Sequence, residues 1–165
     1  NKGSESMMSQ TKVERYLEEQ KISYQPLDFS HVVEESFTEE LQKRGIDPAL
    51  ICKTLVVKGN KTGVIIALIP LNDHLDYKKT RQVTKDRKVG FPGMDFVLMH
   101  TGYPHGANTP IGIKLAHPDY CFLADSSLKE KEEVIVSSGE IGRSLRIKVA
   151  DLEKIVHPIY ADLIS

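Results

Sequence analysis

Few residues in this chain have types and spacing suited to chemistry, and Lys53 comes first. It stands in "ICKTLVV" (51–57), a run that otherwise reads as a buried strand. Period-2 geometry puts Lys53, Leu55 and Val57 on one face and Cys52, Thr54 and Val56 on the other. An ammonium group is rarely buried without a partner. Two readings stay open: the stem covers apolar surface while the head reaches water, or Lys53 stands at the mouth of a pocket, aimed at a phosphate or carbonyl oxygen.

Two loops offer polar groups of a different kind. "GYPHGANTPIG" (102–112) carries three glycines and two prolines. That composition lets backbone N–H groups approach a ligand, and it equally makes an ordinary turn. "VSSGEIGRS" (136–144) places Ser137, Ser138 and Arg143 between two strand-like runs, where they either bond a ligand or finish a turn. The dense basic run Lys78, Lys79, Arg81, Lys85, Arg87 and Lys88 is a solvated helix face or a phosphate track.

Several chemistries lack their signatures. There is no Walker A or Rossmann fingerprint, no G-x-S-x-G elbow and no HExxH, and the histidines at 31, 74, 100, 105, 117 and 157 are scattered. Cys52 and Cys121 form no CxxC, so neither a disulfide framework nor a zinc ribbon is expected, in keeping with a reducing cytoplasm. No metal and no cofactor are expected. A net charge of -1 excludes a global cationic field, so any nucleic-acid partner needs a local patch. The longest apolar run, "VIIALIPL", is too short to span a bilayer, and no membrane role or export is expected.

The elements that must position these residues follow from periodicity. "QTKVERYLEEQKI" predicts a helix with Val13, Tyr16 and Leu17 on its apolar face. "SYQPLDF" reads as a short strand broken at Pro26. Ser36 or Thr38 starts a second helix that Gly45 ends, and Asp47 with Pro48 repeats the start signal. "ICKTLVVKG" and "GVIIALIP" form a hairpin, the second run being apolar on both faces and therefore central. "LDYKKTRQVTKDRKV" is a polar helix with Asp76 near its start. "DFVLMHTGY" reads as a strand or a helix-to-strand passage, and "YPHGANTPIGI" as irregular. "YCFLAD", "EEVIVSSG" and "RSLRIKV" are strands, the last of them before a C-terminal helix interrupted at Pro158. The layout is α+β in one domain over 8–165, with 1–7 a polar tail.

Taken together and in this order, "CKTLVV", "LDYKK", "TGYPHGANTPIG" and "VSSGEIGRSLRI" resemble the YbaK/EbsC family of free-standing aminoacyl-tRNA editing domains, relatives of the insertion domain of prolyl-tRNA synthetases. The resemblance runs from about Val13 to Leu163. It implies a mixed, strongly curved, barrel-like sheet flanked by helices, with a pocket for the 3′ aminoacyl-adenosine of a mischarged tRNA. The family's essential lysine falls on Lys53, and its threonine neighbour on Thr54. Its G-x-x-x-P loop falls on Gly106, Ala107, Asn108, Thr109 and Pro110, its aromatic pocket residues on Phe29 and Phe37, and its SGG or SAG serine on Ser137. Lys78, Lys79 and Arg81 are the expected tRNA contacts.

The implied function is cytoplasmic trans-editing: metal-independent ester hydrolysis of a mischarged tRNA, expected to be tRNA for proline carrying Cys, Ala or another small residue. A synthetase is an expected further partner. The alternative is a catalytically altered RNA- or nucleotide-binding module of the same fold. Cysteine-specific relatives usually read G-G-[IC]-S-P in the loop and carry an acidic residue where this chain has Ser144, so strict cysteine specificity is not expected.

Overall fold

Thr11 starts the first helix. In the computed structural model, which describes residues 9–165, its Oγ1 accepts the Glu14 N–H at 3.0 Å while Glu14 Oε1 accepts the Thr11 N–H at 3.1 Å. This reciprocal cap fixes α1 (Lys12–Glu19), whose Val13 and Leu17 are buried as the periodicity predicts. The tail expected at 1–7 lies outside the described residues.

A strand, β1 (Tyr24–Asp28), then leads through a 3₁₀ turn (Glu34–Ser36) into α2 (Phe37–Arg44). That helix stops at Gly45, where φ is +67°. Asp47 caps a 3₁₀ turn (Pro48–Leu50) that delivers the chain to β2 (Cys52–Gly59) and β3 (Gly63–Pro70). These pair antiparallel from Cys52–Pro70 to Gly59–Gly63. After α3 (Tyr77–Thr84), which Asp76 caps, come β4 (Val89–Gly90), α4 (Met94–Thr101) and α5 (Pro110–Ala116). The chain ends with β5 (Cys121–Asp125), a 3₁₀ turn (Ser126–Glu130), β6 (Glu133–Ser137), β7 (Arg143–Lys148), α6 (Val149–Val156) and β8 (Ile159–Ala161).

The strands form two sheets. One is mixed, in the order β4-β2-β3-β5-β8, with the β3–β5 and β5–β8 pairs parallel. Its β3 is central and buried on both faces, as its apolar run predicts. The other is antiparallel, in the order β1-β7-β6. The main core lies between them: Val56, Ile66 and Phe122 from the first sheet meet Val136 and Leu145 from the second, with α1, α5 and α6 closing the rest. A second layer, with Val57, Ile65, Ile69 and Leu123, packs the opposite face of the mixed sheet.

Five expectations are corrected. No barrel-like sheet forms, because the two sheets meet in one isolated parallel bridge, Ile51 to Ile135, and neither closes on itself among the described residues. "DFVLMHTGY" is mostly the helix α4, ended by Gly102 at φ +79°. "YPHGANTPIGI" is not irregular throughout, since Thr109 caps α5 and Pro110 takes its first position. Pro26 does not break β1. That strand lies at a sheet edge, where a missing N–H costs little. Beyond Pro158 the chain forms β8 rather than more helix.

Candidate functional site

β4 pairs with β2 only at Lys58 and Gly59. The rest of that edge of β2 is left to other structure, and β6 touches the start of β2 through the Ile51–Ile135 bridge before the strands part. A cleft of about 640 Å³ opens here. Residues 52–56 of β2, Gly106 and Asn108 of the glycine loop, and Ser137 and Ser144 all line it, with Leu71, Phe91, Met94 and Val97 as apolar wall.

Lys53 is half-buried in this cleft and has no hydrogen-bond or ion-pair partner among the described residues. Among the described residues it is therefore not a member of a structural ion pair. Beside it, Thr54 Oγ1 is buried with no partner among the described residues, an arrangement that costs about 1–3 kcal/mol until something bonds it. Cys52 also lines the cleft, but burial pushes its thiol up to about 12, so at neutral pH it is protonated and not a thiolate nucleophile.

The glycine loop divides its labour. Ala107 and Thr109 are fully buried, and Pro110 is buried at the start of α5. The Ala107 N–H donates to Pro104 O at 3.0 Å, and Thr109 Oγ1 accepts the Gly112 N–H at 3.2 Å. These three hold the loop, while Gly106 and Asn108 reach the cleft. Gly106 has φ +90°, a conformation that disfavours any side chain. The N–H groups of Gly106 and Asn108 have no acceptor among the described residues. Asn108 Oδ1 accepts from the buried Thr101 hydroxyl at 3.0 Å, which anchors one end of its amide in the protein.

Ser137 and Ser144 pair across the β6–β7 ladder. Beneath them lies a polar cluster that the sequence reading did not assemble. Thr11 Oγ1 and Ser138 Oγ are 2.6 Å apart, and Arg143 Nη2 donates to Glu14, which is 2% exposed. The T-x-x-E spacing of Thr11 and Glu14 is a capping-box signal that could have found half of this cluster.

Other expected site residues stand apart. Phe29 and Phe37 pack edge to face at 5.3 Å within a small core that includes Leu41, Ile46 and Ile51, and neither lines the cleft. Leu71, packed on that core, connects it to the cleft wall. Lys79 is taken up by Asp162 at 3.0 Å and Ile164 O at 2.6 Å, tying down the chain end. Lys78 is exposed and Arg81 half-buried on α3, whose Tyr77 packs edge to face on Phe91 at the cleft rim. Among the described residues no three His, Cys, Asp or Glu side chains group to hold a metal, and no helix is long and apolar enough to cross a membrane.

Comparison with known proteins converges on one family. The model of the aminoacyl-tRNA editing domain matches residues 33–155. Over 157 residues the chain is 32% identical to an Enterococcus faecalis protein provisionally named Cys-tRNA(Pro)/Cys-tRNA(Cys) deacylase EbsC, covering 93% of this chain and 92% of that one. It is also 33% identical over 96 residues to a proline–tRNA ligase of Fervidobacterium nodosum, covering 58% of this chain and 16% of the ligase. A crystal structure described provisionally as a trans-editing enzyme for prolyl-tRNA synthetase superposes with a TM-score of 0.75 at 22% identity, over 93% of this chain and 94% of that one. At that identity the likeness is one of fold.

Proposed function

The chain belongs to the aminoacyl-tRNA editing domain family, and from that premise we propose that it is a trans-editing deacylase, hydrolysing the ester of a mischarged tRNA in the Lys53 cleft. One observation carries the reading: Lys53, Thr54, Gly106 and Asn108, whose ammonium, hydroxyl and two loop N–H groups have no partner among the described residues, line one cleft. At about 640 Å³ the cleft falls within the usual range of small-molecule sites, about 300–1,000 Å³.

An aminoacyl ester is already activated, so the protein need only position it and stabilise the charge that develops on its carbonyl oxygen. Water adds to the carbonyl carbon, and the tetrahedral oxyanion collapses with loss of the ribose oxygen, which takes up the proton that the attacking water gives up. The products are a free amino acid and a tRNA with a free terminal hydroxyl. Lys53 holds the terminal nucleotide through its phosphate, the Gly106 and Asn108 N–H groups receive the oxyanion, and Thr54 and Ser137 bond the sugar or the amino group. Ala107, Thr109 and Pro110 shape the loop, and Phe29 and Phe37 support the wall behind Leu71. No step requires a histidine, a metal or a serine nucleophile.

The proposed substrate is tRNA for proline carrying a small residue such as cysteine or alanine. The similarity to a protein named as a deacylase of Cys-tRNA(Pro) and to a proline–tRNA ligase supports this choice. The test is a deacylation screen of tRNA for proline charged with cysteine, alanine, serine or proline, with Lys53→Ala run beside the parent. Hydrolysis of one ester that is lost in the variant supports the reading. RNA binding with no hydrolysis of any ester would replace it with a binding module of the same fold.

A further inference from the structure

A second groove, of about 330 Å³, adjoins the Lys53 cleft. Phe91 and Pro92 line both, forming the ridge between them. The groove's other walls are Lys58, Asn60, Lys88, Val89 and Gly90, with no carboxylate among them. Phe91 is 54% exposed, an unusual state for a phenylalanine, and its ring is braced edge-on by Tyr77 at 5.6 Å.

The charged side chains that line this groove are all basic. Lys58, Lys85, Arg87 and Lys88 are exposed and have no acidic partner among the described residues. The nearest acid in sequence, Asp86, is buried, with its Oδ1 occupied by the N–H groups of Lys61 and Thr62. Asn60 Oδ1 accepts the N–H groups of Arg87 and Lys88, both at 2.9 Å, and so fixes the basic segment against the β2–β3 turn. A chain with a net charge of -1 has thus concentrated cations beside one exposed ring.

Lysines spaced along a groove with an aromatic face between them are what a single-stranded nucleic acid requires: cations follow the phosphates, and the ring stacks a base of any identity. Lys53 and Lys58 are five residues apart on one strand, about 17 Å at the rise of a β-strand. One nucleotide cannot touch both. The geometry points to a track for the single-stranded 3′ end of the RNA: the terminal nucleotide in the Lys53 cleft, a preceding base on Phe91, and the phosphates before it along Lys58 and Lys88. The direction of the strand rests on the deacylase reading, but the track itself does not.

Two measurements separate them. The first is binding of an uncharged, labelled, single-stranded oligoribonucleotide ending in the tRNA 3′ sequence, by fluorescence anisotropy over a range of salt. Phe91→Ala should weaken it about tenfold. Lys58→Ala and Lys88→Ala should each flatten the slope of log affinity against log salt by about 0.7. The second compares hydrolysis of aminoacyl-tRNA with that of the matching aminoacyl-adenosine. The lysine variants should raise KM for the tRNA, with kcat held, and the defect should disappear on the adenosine ester, which has no preceding nucleotides.

Parent-like oligonucleotide binding in all three variants overturns the track, as does a lysine-variant defect equally large on both esters. If the parent hydrolyses no ester yet binds the oligonucleotide in a Phe91- and Lys88-dependent way, the deacylase reading falls and the track stands. If esters are hydrolysed and the variants bind normally, the track falls and the deacylase reading stands.

Discussion

Arg143 Nη2 donates to both carboxylate oxygens of Glu14, at 3.1 and 3.2 Å, joining the first helix to the turn that carries Ser137 and Ser138. The carboxylate is buried and the arginine side chain is 11% exposed. Losing one partner leaves the other desolvated, so Glu14→Ala should destabilise the fold by about 3–5 kcal/mol. Urea denaturation reads this directly, and a midpoint like that of the parent would refute the pairing. At temperatures where the variant stays folded, kcat/KM should also fall, because Ser138 hydrogen-bonds Thr11 and the turn loses its anchor.

Lys53 answers a different question. It has no partner to lose among the described residues, so Lys53→Ala should leave the melting temperature within a few degrees of the parent. Deacylation should nevertheless drop by a factor of about 10², the size of effect expected when loss of a clamp on the substrate misplaces the ester by about 1 Å. Lys53→Arg should not restore it fully, since a planar fork does not fill the place of a compact ammonium. A large loss of stability with unchanged turnover per folded molecule would make Lys53 structural.

How far the sequence was legible depends on how local the signals were. The β2–β3 hairpin, α1, and the caps at Asp47, Asp76 and Gly45 were readable because periodicity and capping are written within a few residues. Met94–Thr101 was misread because its apolar residues surround the helix instead of forming a stripe. Thr109–Pro110 was a cap and first-position pair that the glycine-rich surroundings obscured. Within the site, Lys53, Gly106, Asn108 and Ser137 were named in advance and do share a cleft. The Thr11–Glu14–Ser138–Arg143 cluster joins residues more than 120 positions apart, and no local pattern encodes that separation.

Gly106 tests the loop without touching its charge. At φ +90° a methyl group meets no neighbouring atom, so Gly106→Ala carries backbone strain but no clash. The expected loss of stability is about 1 kcal/mol. If the Gly106 and Asn108 N–H groups receive the oxyanion, relaxation of the strained loop should lower kcat while KM changes little. An effect confined to KM would assign the loop to binding alone.

Asp86 connects the site to acid stability. Its carboxylate caps the β2–β3 turn through Lys61 and Thr62 at 2.8 Å each, and Gly59 stands so close that a Cβ there would lie 2.7 Å from Asp86 Cγ. Burial opposes ionisation, but hydrogen bonds from Thr84, Thr62 and Lys61 outweigh it and lower the group from 3.8 to about 2. A carboxylate whose folded value lies below its unfolded value stabilises the protein fully above about pH 4, and that contribution is lost as pH falls towards 2. The melting temperature of the parent should therefore drop more steeply from pH 4 to pH 2 than that of Asp86→Asn, which lacks this titration, while at neutral pH the variant should be the less stable of the two. Parallel profiles over that range would show that the turn is held without the charge. Because Lys58 and Asn60 flank the same turn, loosening it should also weaken oligonucleotide binding, and the two losses should appear together in Asp86→Asn.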